Sequence, residues 1–281
     1  MPTQTLSDVS SPEAVLSFHD VTVGYGNRII LQSITMQVKR GQVVAVIGGS
    51  GSGKTTLLRA ATGQIPIQQG ELSAFGQPLD THDSRRLYEQ RQRMGVLFQQ
   101  GALFTDLDVF ENVAFPLREH AQLSESEVRE RVLSKLQDVG LRGAAHLKTS
   151  EISGGMARRV ALARAIVLEP ELIFYDEPFA GLDPISLGVI AQLIRSMSQT
   201  LGCGALLITH DLEESFAIAD QVYLLGRGSL VAAGTPQALQ ASTDPFVVQF
   251  LKGQPDGPVA FHYPETAAFQ EWLARQQGGQ S

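Results

Sequence analysis

The chain has 281 residues, of which 43% are apolar and 18% charged, which supports a packed core and excludes a low-complexity chain. A net charge of -7 argues against a nucleic-acid platform. The single cysteine, Cys203, excludes an internal disulfide and suits a reducing compartment.

In chain order, residues 1–13 (MPTQTLSDVSSPE) are polar, lack an apolar signal core and are expected to be flexible. Val15–Phe18 and Val21–Val23 read as strands before a turn at Gly26-Asn27, and Ile29–Val38 as their partner. Val43–Ile47 is a continuous apolar run, the kind buried on both faces of a mixed or parallel sheet. A helix is expected from Lys54 to about Ala61, stopped near Gly63. From about 85 to 165 the chain becomes charged and helical, an expected helical subdomain inserted in a sheet domain. Its clearest helix, Ser124–Val139, opens on a capping box of Ser124 and Glu127. Leu172–Tyr175 and Ala205–Thr209 return to strand, and Val222–Leu225 with Leu230–Ala233 form a hairpin. Strands alternating with helices predict a layered α/β fold. No apolar run reaches the roughly 20 residues of a membrane-spanning helix, so any membrane role is expected to be peripheral. From Asp244 onward Phe246, Phe250, Phe261, Tyr263, Phe269 and Trp272 are interleaved with Pro and Gly, and fit either a strap on their own domain or an arm for a partner.

Two motifs carry chemistry. Gly48-Gly49-Ser50-Gly51-Ser52-Gly53-Lys54-Thr55-Thr56 follows an apolar strand and opens a helix, the context a phosphate loop requires. Its glycines let backbone N–H groups curl around oxygens, Lys54 can reach β- and γ-phosphates, and the Thr55 hydroxyl can ligate Mg²⁺. Leu172–Tyr175 ends in Asp176-Glu177, where one carboxylate can hold Mg²⁺ (Asp176) and the other can polarise an attacking water (Glu177).

With these motifs, Gln99, Ser153-Gly154-Gly155, Asp183 and His210 occur in the order found in the nucleotide-binding subunits of ABC transporters, and the chain resembles that family over roughly residues 15–240. The resemblance implies an ABC-type nucleotide-binding domain over 14–243, with a P-loop mixed-sheet core, an antiparallel β-subdomain and a helical subdomain, followed by a C-terminal extension over 244–281. It implies two such domains sandwiching two ATPs, each held between one copy's phosphate loop and the other's Ser153-Gly154-Gly155. By position, Tyr25 would stack on adenine, Gln99 (with Gln100 adjacent) would touch Mg²⁺ or the water, Asp183 would act across the dimer, and His210 would contact the γ-phosphate. Gly101–Phe104 would meet a membrane partner.

Met156 departs from the Gln usual after Ser-Gly-Gly, which leaves phosphate binding to Ser153 and backbone N–H groups and gives Met156 a packing role. Ser153–Arg159, Leu97–Asp106 and Gly253–Pro264 resemble the branch paired with MCE proteins, the Mla phospholipid-trafficking ATPases. That implies an ATPase on the cytoplasmic face of the inner membrane, partnered by an integral-membrane permease, an MCE-domain lipid-binding protein and a small STAS-domain protein, with phospholipid as cargo and no nucleic acid. In this branch the extension reaches over the other ATPase. Two alternatives remain: the ATPase of a small-solute importer, and a soluble ABC ATPase acting on nucleic acid or ribosomes.

Overall fold

The computed structural model describes residues 13–99, 101–259 and 265–278. The chain divides between Leu239 and Gln240 into two compact units.

The first unit starts with a long antiparallel pair, β1 (Ala14–Tyr25) and β2 (Arg28–Lys39), then β3 (Val43–Gly48) and α1 (Lys54–Ala61). β4 (Gln69–Ala74) and β5 (Gln77–Pro78) complete a four-stranded antiparallel sheet of order β2-β1-β4-β5. α2 (Ser84–Gln92), β6 (Met94–Leu97), α3 (Val109–His120), α4 (Glu125–Asp138) and α5 (Gly154–Ile166) follow. The chain then runs through β7 (Leu172–Asp176), α6 (Pro184–Leu201), β8 (Gly204–Thr209), α7 (Leu212–Ile218), β9 (Gln221–Gly226), β10 (Ser229–Gly234) and α8 (Pro236–Gln240). A second sheet has the order β10-β9-β3-β8-β7-β6, parallel throughout except for β10 at its edge.

Every residue of β3 and β8 is buried, as a central strand with both faces covered requires. Val44, Val46, Phe174, Leu206 and Ile208 turn one face of this sheet toward α1 and the antiparallel sheet, where Leu57, Phe18, Leu31 and Ile34 join them in one core. The parallel register sets Asp176 beside Ile208 and Ile47 beside Thr209. The loops after β3, β7 and β8 therefore leave from one edge of the sheet, at the carboxyl ends of its strands, where α/β sheets bind ligands.

α3, α4 and α5 pack on one another. α4 is capped as its sequence predicts: Ser124 Oγ accepts from Glu127 N, and Ser124 N donates to Glu127 Oε2 at 2.7 Å. The 85–165 span also contains a strand of the main sheet, because Met94–Leu97 pairs in parallel with Leu172–Tyr175. Gly95 makes that possible. A Cβ there would lie 2.4 Å from the Ala165 carbonyl, so only glycine lets the end of α5 cross β6 this closely.

In the second unit, α9 (Pro245–Lys252) is capped by Asp244 and ends on Gly253. The Gln249 amide pins the following loop through both main-chain groups of Val259, at 2.8 and 2.9 Å. α10 (Ala267–Gly278) exposes Trp272, whose ring stacks on Phe269 with centroids 5.8 Å apart. Phe261 and Tyr263, expected to belong to the same aromatic arm, lie outside the described residues, as do Gln100 and residues 1–12.

Candidate nucleotide site

α2, α3, α4, α5, α6 and α9 each begin on a Ser or Asp whose side chain accepts a hydrogen bond from the first turn. α1 differs. Its N-cap is Gly53, with φ 107° and no side-chain cap. The first N–H groups of a helix lack intrahelical acceptors, so an uncapped start bordered by Gly51 and Gly53 in left-handed conformations is a ready anion site. Lys54 Nζ folds back to the carbonyls of Gly48 and Gly49 at 2.7 and 3.2 Å, which holds the ammonium over the loop.

A cleft of about 660 Å³ opens here, lined by Ile30, residues 50–56, Gln99, Asp176, Glu177, Ile208 and His210. The sheet register thus brings together residues 50–56 of the phosphate loop, both carboxylates, Gln99 and His210, while Gly48 and Gly49 lie behind them and accept from Lys54. Burial, then the neighbouring Glu177, raises the Asp176 pKa, while Lys54 pulls it back. Burial lowers the Lys54 pKa against the opposing pull of Glu177 and Asp176. Thr55, Gln99 and Asp176 offer oxygen donors on one cleft, the set a hard cation such as Mg²⁺ prefers, and a cation would relieve the repulsion between Asp176 and Glu177.

Glu177 has φ 46°, a costly conformation for a residue with a side chain. Two contacts hold it there: Glu177 N donates to Ile208 O at 2.8 Å, and its Oε2 lies 2.8 Å from His210 Nδ1. Glu177, His210 and Asp211 are the residues whose ligand-type atoms lie within 4.8 Å of one another among those described.

Tyr25, Ser153, Gly154, Gly155 and Asp183 do not line this cleft. Tyr25 stands at the end of β1, its hydroxyl accepting from Arg59 Nη1 at 3.1 Å. Ser153 caps α5, its Oγ accepting from Met156 N at 3.2 Å. Asp183 caps α6, accepting from Ile185 N, Ser186 N and Ser186 Oγ, the last at 2.6 Å. These two helix starts meet. A Cβ on Gly155 would lie 2.6 Å from Ser186 Oγ, so a side chain there would push the Ser186 hydroxyl off Asp183.

No sequence motif marks a role for the arginines of α5. Arg158 is buried and donates to the main-chain carbonyls of Phe98, Gln99 and Ala180. Arg164 donates to Gly101 O and Ala102 O at 2.6 and 2.9 Å, fixing the segment after Gln99. Their local signal is an arginine inside an otherwise small and apolar helical run, Val160–Ile166 and its N-terminal flank, where a buried cation demands partners.

The comparisons with known proteins agree with this geometry. The ABC transporter family profile matches residues 31–180, more than half of the chain. The chain belongs to the ABC transporter ATP-binding family. It is 51% identical over 250 residues to the intermembrane phospholipid transport system ATP-binding protein MlaF of Haemophilus influenzae, covering 89% of this chain and 95% of that one. MlaF of Escherichia coli K12 is also 51% identical, with 93% of its length covered. Among solved structures, cbiO1 of Clostridium perfringens, part of the transporter complex cbiONQ, superposes with TM-score 0.77 at 29% identity, over 85% of this chain and 95% of that one. The cassette MJ0796, as a post-hydrolysis dimer bound to ADP and Pi, superposes with TM-score 0.70 at 29% identity, over 79% and 98%. As an ABC ATPase the protein binds and hydrolyses ATP. No helix among the described residues is long and apolar enough to cross a membrane.

This ABC ATPase carries a second concavity, of about 480 Å³, which shares no lining residue with the cleft and is lined by Tyr88, Val96, Phe98, Phe104, Phe115 and Arg164 among others. Phe104 and Phe115 pack with ring centroids 4.8 Å apart yet stay about 40% exposed. Asn112 ties the loop at Phe104 to α3 by bonds to its N–H and C=O at 2.9 and 3.1 Å, so the aromatic wall is held in place.

Proposed function

We propose that this protein is the ATP-hydrolysing subunit of a complex that moves phospholipids between the inner and outer membranes and so maintains outer-membrane lipid asymmetry. The observation that carries the reading is its 51% identity to MlaF over nearly the whole of both chains. The complex contains two copies of this ATPase on the cytoplasmic face of the inner membrane, an integral-membrane permease, an MCE-domain protein and a small STAS-domain protein. The aromatic concavity around Phe104 is where the permease docks, because exposed apolar surface on a fixed wall suits a protein contact. The C-terminal unit reaches the second ATPase.

The uncapped start of α1 and Lys54 bind the phosphates, and Tyr25, steadied by Arg59, stacks on adenine. Thr55, Gln99 and Asp176 hold Mg²⁺, which when bound offsets charge on the phosphate oxygens. Glu177 takes the proton from the attacking water. His210 steadies Glu177 by donating from Nδ1–H, and only a ring that carries both protons also offers an Nε2–H to the γ-phosphate. Ser153 and the N–H groups of Gly154 and Gly155 close on the ATP of the other copy.

Affinity purification of the tagged full chain from its host in detergent tests the assignment. A permease, an MCE protein and phospholipid should co-purify. Recovery of a solute receptor with the permease would instead mean a small-solute importer.

A further inference from the structure

Arg158 lies on α5 and is 7% exposed, and among the described residues it has no acidic partner. A buried cation needs compensation, and here main-chain carbonyls from two separate loops supply it. Nη1 donates to Phe98 O at 3.2 Å and to Gln99 O, and Nη2 donates to Ala180 O at 3.1 Å. Phe98 and Gln99 form the segment leaving β6 that brings Gln99 to the cleft. Ala180 belongs to the turn that starts at Glu177, where Ala180 N donates to Glu177 O at 3.3 Å, and leads to Asp183. On its own helix, Arg158 lies just beyond the first turn, which Ser153 caps. One guanidinium therefore joins the Gln99 segment, the Glu177–Asp183 turn and the helix that presents Ser153.

We propose that Arg158 is a positioning residue that links the γ-phosphate end of one copy's cleft to the Ser153 end of the same copy, and so couples the two ATP sites of the dimer. The proposal rests on the two-copy reading above, in which Ser153 serves the other copy's ATP. A change at Gln99 or Glu177 on ATP binding is passed through the planar fork of the guanidinium to α5. A lysine keeps the charge but, as a point donor, cannot hold three carbonyls in a fixed plane. A glutamine has two N–H donors and can keep two of them.

The test uses the full-length chain with Arg158→Leu, Arg158→Lys and Arg158→Gln, each alone and in a Glu177→Gln background that retains ATP. We expect Arg158→Leu to lower kcat at least about tenfold, the effect of losing one hydrogen bond to a charged group, with ATP affinity of the dilute monomer changed less than about twofold. The Hill coefficient for ATP should fall toward one. Glu177→Gln/Arg158→Leu should remain monomeric with ATP in light scattering, where Glu177→Gln dimerises. Lys and Gln should lie between Leu and wild type, which keeps the test valid if Leu folds poorly. The proposal is overturned if a folded Arg158 variant keeps wild-type cooperativity and ATP-dependent dimerisation, or if kcat, ATP affinity and melting temperature fall together across the series. Failure of the two-copy reading would look different, since Glu177→Gln alone would then stay monomeric with ATP.

Discussion

Replacing Ser153 separates two jobs performed by one hydroxyl. As N-cap of α5, its Oγ accepts from Met156 N at 3.2 Å. A hydroxyl has one donor hydrogen besides its lone pairs, so this cap leaves the O–H free to donate to a phosphate. Losing an N-cap serine to alanine costs about 1 kcal/mol, and the exposure of Ser153 puts it toward the lower end. In a domain of this size that lowers the melting temperature by about 2–4 °C. Losing a hydrogen bond to a charged group costs about 1.5–3 kcal/mol, or about 10- to 150-fold in turnover if Ser153 contacts ATP. Asp caps helices as well as Ser but sets a negative charge against the phosphate. Ser153→Asp should therefore melt at or above Ser153→Ala yet hydrolyse ATP more slowly, and Ser153→Thr should retain most of both properties. Because Ser153 does not line its own copy's cleft, nucleotide affinity of the dilute chain should not change in any variant. Thermal melts, fluorescent-nucleotide titration and steady-state ATPase separate these effects. A Ser153→Asp chain with wild-type turnover would refute the phosphate contact.

The Asp176 carboxyl titrates above its ordinary range because of burial and Glu177. A raised folded pKa means a contribution to stability that is present below the unfolded value, about 3.9, and lost as pH rises through the folded value. Without nucleotide, Asp176→Asn should thus melt at or above wild type at pH 7, the difference shrinking toward pH 4, while ATP turnover is lost at every pH; calorimetry and ATPase assays check both. Gly155→Ala sets a Cβ 2.6 Å from Ser186 Oγ and should disturb the Ser186–Asp183 pair, lowering ATPase activity with little change in melting. Its double variant with Ser186→Ala should be no worse than Ser186→Ala alone, since the two share one contact. Met156→Gln should keep near-normal turnover, because the contact made by residue 156 is its main-chain N–H to Ser153, and a collapse in the same assay would mean the thioether has a further task.

Much of the site was legible in the sequence because its determinants are local. A strand, a glycine turn and Lys54-Thr55 are contiguous, so their spacing marks the phosphate loop, and Leu172–Glu177, weak by itself, gains its meaning from that loop; the structure sets Asp176 and Glu177 in the same cleft. The capping box at Ser124 was equally local. What escaped depends on contacts distant in the chain. Met94–Leu97 is too short and too broken by Gly95 to signal a strand, and only its pairing with β7 makes it one. The His210–Glu177 contact joins residues 33 apart, and the bonds of Arg158 span 22 to 60 positions. Such partners follow from the parallel register and from the crossing of α5 over β6, neither of which a local pattern encodes.

In the proposed dimer each ATP is completed by two copies, the phosphate loop of one and Ser153 of the other. Mixing two impaired full-length chains, Lys54→Ala and Ser153→Asp, tests this arrangement. In a mixed pair, one site takes both lesions and the other takes neither, because its phosphate loop comes from the Ser153→Asp chain and its Ser-Gly-Gly from the Lys54→Ala chain. ATPase activity in the mixture should rise well above the sum of the two chains measured apart. Activity no greater than that sum, with mixed pairs present by mass spectrometry, would contradict it.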